Sequence, residues 1–252
     1  MSNRAQLSDD DVAHFQQKGW VKAQGFFSPE ESRLLTRWTE EICAMPEIPG
    51  RQMVYWEDTG AYGRVIQRIE NFCPYHADMD QTMRAGRLMA AIETLLGGRS
   101  VLYKDKCNLK LPGGSGFELH QDQQAGWSTY APIFITAMIS IDRATEENGC
   151  LQIVDMPRQH AILGEEWKPL TAAEVGGALV PVPTEPGDVL FFDSFVAHAS
   201  EPNRSEQQRR ILYLTYNRQD HGDHRSQYFY DKRQSFPPDV ERVPGREYKF
   251  RV

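Results

Sequence analysis

The chain has 252 residues, a formal net charge of −7 and a hydrophobic fraction of 40%. That length supports a sizeable core, and that fraction excludes a disordered chain. No stretch approaches the roughly 18 consecutive apolar residues of a membrane span, and the acidic balance lacks the positive field of non-specific nucleic-acid binding, while leaving room for a local basic pocket for a small anion.

Met1 to Asp11 is polar and acidic, without the basic start and apolar stretch of a secretory leader. Ser8, followed by Asp9, Asp10, Asp11 and the apolar Val12 and Phe15, marks a helix start. Ser28-Pro29-Glu30-Glu31 marks a second: Ser28 caps, Pro29 suits the first helical position, and Glu31 completes a capping box. Leu34, Leu35, Trp38 and Ile42 follow at helical spacing, and Pro46 and Pro49 end that helix. A third helix is predicted from about Asp80 to Leu96, closing at Gly97-Gly98. Tyr55, Trp56, Tyr62, Arg64 and Arg68 precede the next region, as a lid or as plain packing. Cys43, Cys73, Cys107 and Cys150 are too scattered for a disulfide framework or a zinc ribbon, which fits a reducing cytosol.

After Arg99 the character changes to strands. Val101 to Leu111 is strand-like and runs into the loop Pro112-Gly113-Gly114-Ser115-Gly116. Pro132 to Ile141 reads as a buried strand. The turn Glu147-Asn148-Gly149 leads to a strand over Cys150 to Val154. Ala178 to Val182 is short, and Glu185-Pro186-Gly187-Asp188 turns into Val189-Leu190-Phe191-Phe192. Arg210 to Tyr216 is the last long strand. Short strands at such spacing indicate a sandwich or barrel. With helices first and strands after, the fold class is α+β, mainly β, with the helices covering one face. We read one domain over residues 1–252: N-terminal helices at about 8–97, a β core at about 100–217, and a C-terminal extension at 218–252 with no assigned element.

His120-Gln121-Asp122 is the most informative tripeptide. In a strand, alternate side chains share a face, so His120 and Asp122 project together and Gln121 turns aside. A metal gripped by that pair needs a third ligand, and His198 is the best candidate. Two neutral imidazoles and one carboxylate suit Fe(II), leaving positions open for a bidentate 2-oxo acid and O2. The helical HExxH of zinc hydrolases does not occur. Arg209 can clamp a carboxylate in bidentate fashion. Arg210 is its rival, because adjacent strand residues face opposite ways.

Together these residues resemble the phytanoyl-CoA dioxygenase family. The matching pieces are His120-Gln121-Asp122, Pro186-Gly187-Asp188 before Val189 to Phe192, His198-Ala199-Ser200, Arg209, and the early segments Gly19-Trp20-Val21 and Phe26 to Glu31, spanning about Leu7 to Asn217. The resemblance implies a double-stranded β-helix (jelly roll) core and dependence on Fe(II), 2-oxoglutarate and O2. It implies iron ligation by His120, Asp122 and His198. It implies 2-oxoglutarate contacts from Arg209 and Ser200, with Asn108 and Gln121 nearby. Related halogenases lack the carboxylate, so Asp122 favours hydroxylation.

For the substrate, Lys104, Lys106, Asn108 and Lys110 share one strand face, opposite Asp105. Those cations can meet an anionic group, and Trp127 and Tyr130 can wall a pocket or hold a cation on a ring face. Arg64 is a further candidate contact. Lys104 to Trp127 is similar to oxygenases of small aminophosphonates, such as 2-aminoethylphosphonate and its N-methylated (2-trimethylaminoethylphosphonate) relative. The expectation is a small-molecule substrate, no nucleic acid and no membrane. Alternatives are another small zwitterion, a natural product, an acyl thioester, a metal enzyme without 2-oxoglutarate, or a non-catalytic metal- or ligand-binding jelly roll.

Overall fold

The computed structural model of the protein describes residues 6–60 and 62–248. Both expected N-terminal helices form as their caps dictate. Helix α1, Asp9–Lys18, is capped by Ser8, whose Oγ accepts from Asp11 N at 3.2 Å while the Asp11 carboxylate accepts from Ser8 N at 2.9 Å. Helix α2, Pro29–Cys43, repeats the device with Ser28 and Glu31, at 3.3 and 2.8 Å. The single third helix becomes two, α3 (Ala77–Met83) and α4 (Gly86–Leu96). The break falls at Gly86, whose φ of +67° leaves the right-handed helical region. The predicted stop at Gly97 holds, with φ +69°.

Among the described residues, eleven antiparallel strands build two sheets. The larger has the order β1-β9-β6-β11-β4-β3-β2 and the smaller β5-β10-β7-β8. Their ranges are β1 Trp20–Ala23, β2 Met53–Asp58, β3 Arg64–Glu70, β4 Ser100–Lys110, β5 Phe117–His120, β6 Ile135–Ser140, β7 Leu151–Asp155, β8 Ala178–Pro181, β9 Val189–Asp193, β10 His198–Ser200 and β11 Arg209–Arg218. This is the expected jelly roll, with the N-terminal helices on one face. Three of the strands, β1, β2 and β3, lie in the stretch expected to be helical. The β2–β3 pair extends the large sheet by adding to β4, so the aromatic segment around Tyr55 is sheet and not a free lid.

The large sheet is buried on both sides, and alternation sorts its residues. Leu212 and Leu214 of β11 face the helices, packing with Phe15, Leu35, Met83 and Ile92. Ile211 and Tyr213 face the small sheet, with Met138, Leu151 and Ile153. Strand β6 is buried at every position, as a layer enclosed on both faces must be. The C-terminal extension does hold an element, α5 (Arg225–Ser235). It is tied down by Arg225, which reaches Asn71 at 2.8 Å and the buried Asp105 at 2.5 Å. Among the described residues no helix is long and apolar enough to cross a membrane.

The turn before β7 brings the two sheets together and depends on Gly149. Its φ is +74°, and a Cβ there would lie 2.1 Å from the Glu201 carbonyl oxygen and 3.0 Å from Lys110 Nζ. Left-handed backbone alone costs a non-glycine residue about 1–2 kcal/mol, and the overlap adds to it. Gly149→Ala is therefore expected to lower the urea midpoint by at least that much stability with an unchanged m-value. A midpoint equal to that of the parent protein would contradict this account.

Candidate active site

His120 closes β5, Gln121 is extended (φ −105°, ψ 137°), and Asp122 opens a 3₁₀ turn. The tripeptide thus straddles a strand end, yet the extended Gln121 preserves the alternation that puts His120 and Asp122 on one side. His198 opens β10 and pairs in register with His120, bringing the ring centroids to 4.4 Å. His120 Nε2 lies 4.0 Å from Asp122 Oδ1, and one ligand atom from each of the three residues lies within 4.8 Å of the others.

The backbone fixes which imidazole nitrogen is free. His120 Nδ1 is 2.7 Å from the Glu118 carbonyl and His198 Nδ1 is 2.9 Å from that of Val196. A carbonyl only accepts, so the proton sits on Nδ1 and Nε2 keeps its lone pair. Burial pushes His120 down to about 3, with His198 adding to the effect, and burial lowers His198 as well. Burial alone would raise the Asp122 carboxyl, but His198, His120, Lys106 and Lys104 outweigh it and hold it below the usual range. Two neutral imidazoles and an ionised carboxylate on one side of a cavity fit a ferrous ion with open positions.

Arg209 is fully buried on the cavity side of β11, and its Nε, Nη1 and Nη2 meet no hydrogen-bond partner within the described protein. Its register partner on β4 is Lys110, whose Nζ donates to Ser200 Oγ at 2.8 Å. A guanidinium buried without partners is costly, and a carboxylate supplies the bidentate match it lacks. Arg210 faces the opposite way. It grips Asp142 through Nε and Nη2, each at 2.8 Å, and approaches Glu40 at 3.5 Å. Alternation thus leaves Arg209 as the inward member of the pair.

A cavity of about 810 Å³ opens beside the triad. Ser200 and Asn108 line it, and Asn108 Oδ1 is buried without a partner. Lys104, Lys106, Trp127 and Tyr130 line it too. Two expectations change. Gln121 does not line the cavity: its amide donates to the Phe195 and Ala161 carbonyls at 2.7 and 3.0 Å and accepts from Leu163 N at 2.9 Å. It turns aside as strand geometry dictates and staples the loop ahead of His198. Arg64 is exposed, stacked over Trp56 and 3.5 Å from Asp239, while Arg68 four residues on enters the cavity instead. Arg68, named only with the candidate lid, lines the cavity, and residues not anticipated at all are Glu70 on β3 and Tyr228, Asp231 and Lys232 on α5. The i, i+3, i+4 spacing of the last three was a readable signal of one helix face.

The model of the family described as phytanoyl-CoA dioxygenase matches residues 15–211. The chain is 35% identical to a "2-aminoethylphosphonate dioxygenase" of uncultured bacterium HF130_AEPn_1, over 96% of this chain and 94% of the relative. It is 37% identical to a "methylphosphonate hydroxylase" of Gimesia maris, over 96% and 93%. The chain belongs to the phytanoyl-CoA dioxygenase family. A crystal structure of EctD from S. alaskensis with 2-oxoglutarate and 5-hydroxyectoine shares the fold, with a TM-score of 0.73 at 21% identity, covering 88% of this chain and 79% of that one. The chain is accordingly a dioxygenase of the Fe(II)- and 2-oxoglutarate-dependent kind, acting on a small molecule. The non-catalytic alternative falls with that membership.

Lys110 gives the site a pH signature. Burial, with Arg209 adding repulsion, pushes its ammonium down from the ordinary 10.5 to about 6. Between those values the unfolded chain binds a proton that the folded metal-free protein does not, so stability rises with pH across that window. The urea midpoint of the metal-free protein should climb as pH is raised from about 6.5 to about 9, and Lys110→Met should flatten the climb. Equal slopes for the two proteins would refute the assignment.

Proposed function

We propose that this dioxygenase hydroxylates a C–H bond of a small organophosphonate, the class that includes 2-aminoethylphosphonate and methylphosphonate. The observation that carries the reading is the cationic wall facing the triad: Arg68, Lys104, Lys106 and Lys232 all line one cavity of an otherwise acidic chain. Similarity to two phosphonate-named relatives over 96% of this chain points the same way.

In this reading His120, Asp122 and His198 hold the iron, each through an atom its own surroundings keep unprotonated. Arg209 forks the far carboxylate of 2-oxoglutarate, and Ser200 adds a hydroxyl steadied by Lys110. Asn108 offers its amide beside the triad. Bound iron and 2-oxoglutarate supply the oxidising power for an unactivated C–H bond. The chain's own part is to orient and to exclude water. Lys106 and Lys104 draw in the phosphonate, and Trp127, Tyr130 and Tyr228 wall the approach. The four cysteines are free thiols, which supports a reducing, cytosolic setting.

Release of succinate with a panel of phosphonates, zwitterions and acyl thioesters tests the reading. Turnover confined to phosphonates is expected, and none with any phosphonate would end it. Residue roles are tested separately. Arg209→Met should raise the KM for 2-oxoglutarate by roughly 30-fold or more, the scale of losing one partner of a buried charge pair. Arg210→Met should leave that KM nearly unchanged and lower stability instead. His198→Ala should abolish stoichiometric iron binding, read by metal analysis after gel filtration. A reversed pattern for the two arginines would overturn the clamp assignment.

A further inference from the structure

We propose that Lys104 is a built-in cation that fills the aromatic box of the cavity, and so makes the site select phosphonates with an uncharged organic tail over those carrying an ammonium. The inference deepens the phosphonate reading and rests on it.

Trp127, Tyr130 and Tyr228 line the cavity and form the box, backed by the fully buried Tyr103, whose ring centroid is 4.6 Å from Tyr228 and 5.5 Å from both Trp127 and Tyr130. Such a cluster on a cavity wall is where a substrate ammonium would settle, over a ring face. Here the place is taken. Lys104 Nζ stands 5.3 Å from the Trp127 centroid and 5.5 Å from that of Tyr228. A second cation brought to the same rings would meet the lysine at close range in a poorly hydrated site.

The acids on the wall offer no alternative berth. Glu70 already accepts from Arg68 Nε at 3.0 Å and from Lys232 Nζ at 2.9 Å. Asp231 accepts from the Tyr130 hydroxyl at 2.6 Å and from Gln227 at 2.8 Å. Asp122 belongs to the triad. Glu118 and Glu247, the remaining acids lining the cavity among the described residues, are exposed, where an ion pair gains little. The wall thus sets Arg68, Lys104, Lys106 and Lys232 against two interior acids, Glu70 and Asp231, that already have donors, an arrangement suited to the phosphonate end of a substrate and not to an ammonium.

Propylphosphonate and 2-aminoethylphosphonate make the test, because they share one heavy-atom skeleton and differ in a methyl against an ammonium. Their Kd values would be measured by calorimetry, without oxygen, on enzyme loaded with Fe(II) and 2-oxoglutarate. Succinate release in air would give kcat/KM for each. The parent enzyme should favour propylphosphonate by roughly tenfold or more; Lys104→Met should shrink that ratio about tenfold, and Lys104→Arg should keep it. Tighter or equal binding of 2-aminoethylphosphonate by the parent enzyme overturns the proposal, as does an unchanged ratio in Lys104→Met. Should Lys104→Met fail to fold, the parent ratio and Lys104→Arg still decide. Failure of both compounds to bind is a different result: it removes the phosphonate reading itself, and this inference with it.

Discussion

Everything at the site hangs on the pairing of β10 with β5. His198 sits opposite His120, and a slip of one residue would carry its imidazole to the other face of the sheet. The register is enforced from the loop in front of β10 and not by the short strand alone. Gln121 holds the Phe195 carbonyl, Gln123 N donates to the Ser194 carbonyl at 2.9 Å, and Ser194 Oγ accepts from Phe134 N at 3.1 Å. Asp193 fixes the start of the same turn, accepting from Phe195 N at 2.9 Å and from Arg158 at 2.7 Å. The residues alternating with the ligands in sequence are thus the ones that bind the two ligand segments to each other. Geometry at the metal is a by-product of satisfied buried polar groups.

The same alternation divides the labour on β4 and β11. One face of each strand packs apolar side chains under the helices. The other presents Lys106, Asn108 and Arg209 inward, toward the small sheet. Asp105, on the helix side of β4, is consumed by structure: it accepts from Phe72 N and Cys73 N at 2.6 and 2.9 Å and pairs with Arg225. Through Arg225 that buried acid anchors α5, whose Tyr228 and Lys232 complete the cavity. A charge invisible to the site therefore positions one of its walls.

How much of this was legible in the sequence follows from range. Capping boxes, glycine stops and period-two alternation are local, and they predicted α1, α2, the triad tripeptide and strands β4, β6, β7, β8, β9 and β11. Arg209 against Arg210 was reduced to a binary choice by parity, and only Asp142, 68 residues away, resolves it. What stayed hidden was non-local. Strands β2 and β3 carry no strong signal because they are short additions at a sheet edge, stabilised by pairing with β4. Helix α5 is polar almost throughout, and what holds it is its long-range ion pairs and aromatic contacts, features no local pattern encodes. Gln121 was expected near the cosubstrate although the strand rule that brought His120 and Asp122 together had already turned it away.

Among the described residues Arg209 alone is buried with all three guanidinium nitrogens unmatched. Folding satisfies the buried acids of this chain with care: Asp105, Asp193 and Glu70 each have cationic partners. Against that background Arg209, with every side-chain nitrogen unmatched, and Asn108, with a bare carbonyl oxygen, are conspicuous. Neither helps the fold, since an apolar residue of similar size would avoid the desolvation cost. In the proposed reading a carboxylate of 2-oxoglutarate completes Arg209, while Asn108 faces the cavity that the triad lines. Lys104 and Lys106 are held over aromatic rings and feel the field of Asp122, and in the proposed reading they also meet the anionic end of the substrate.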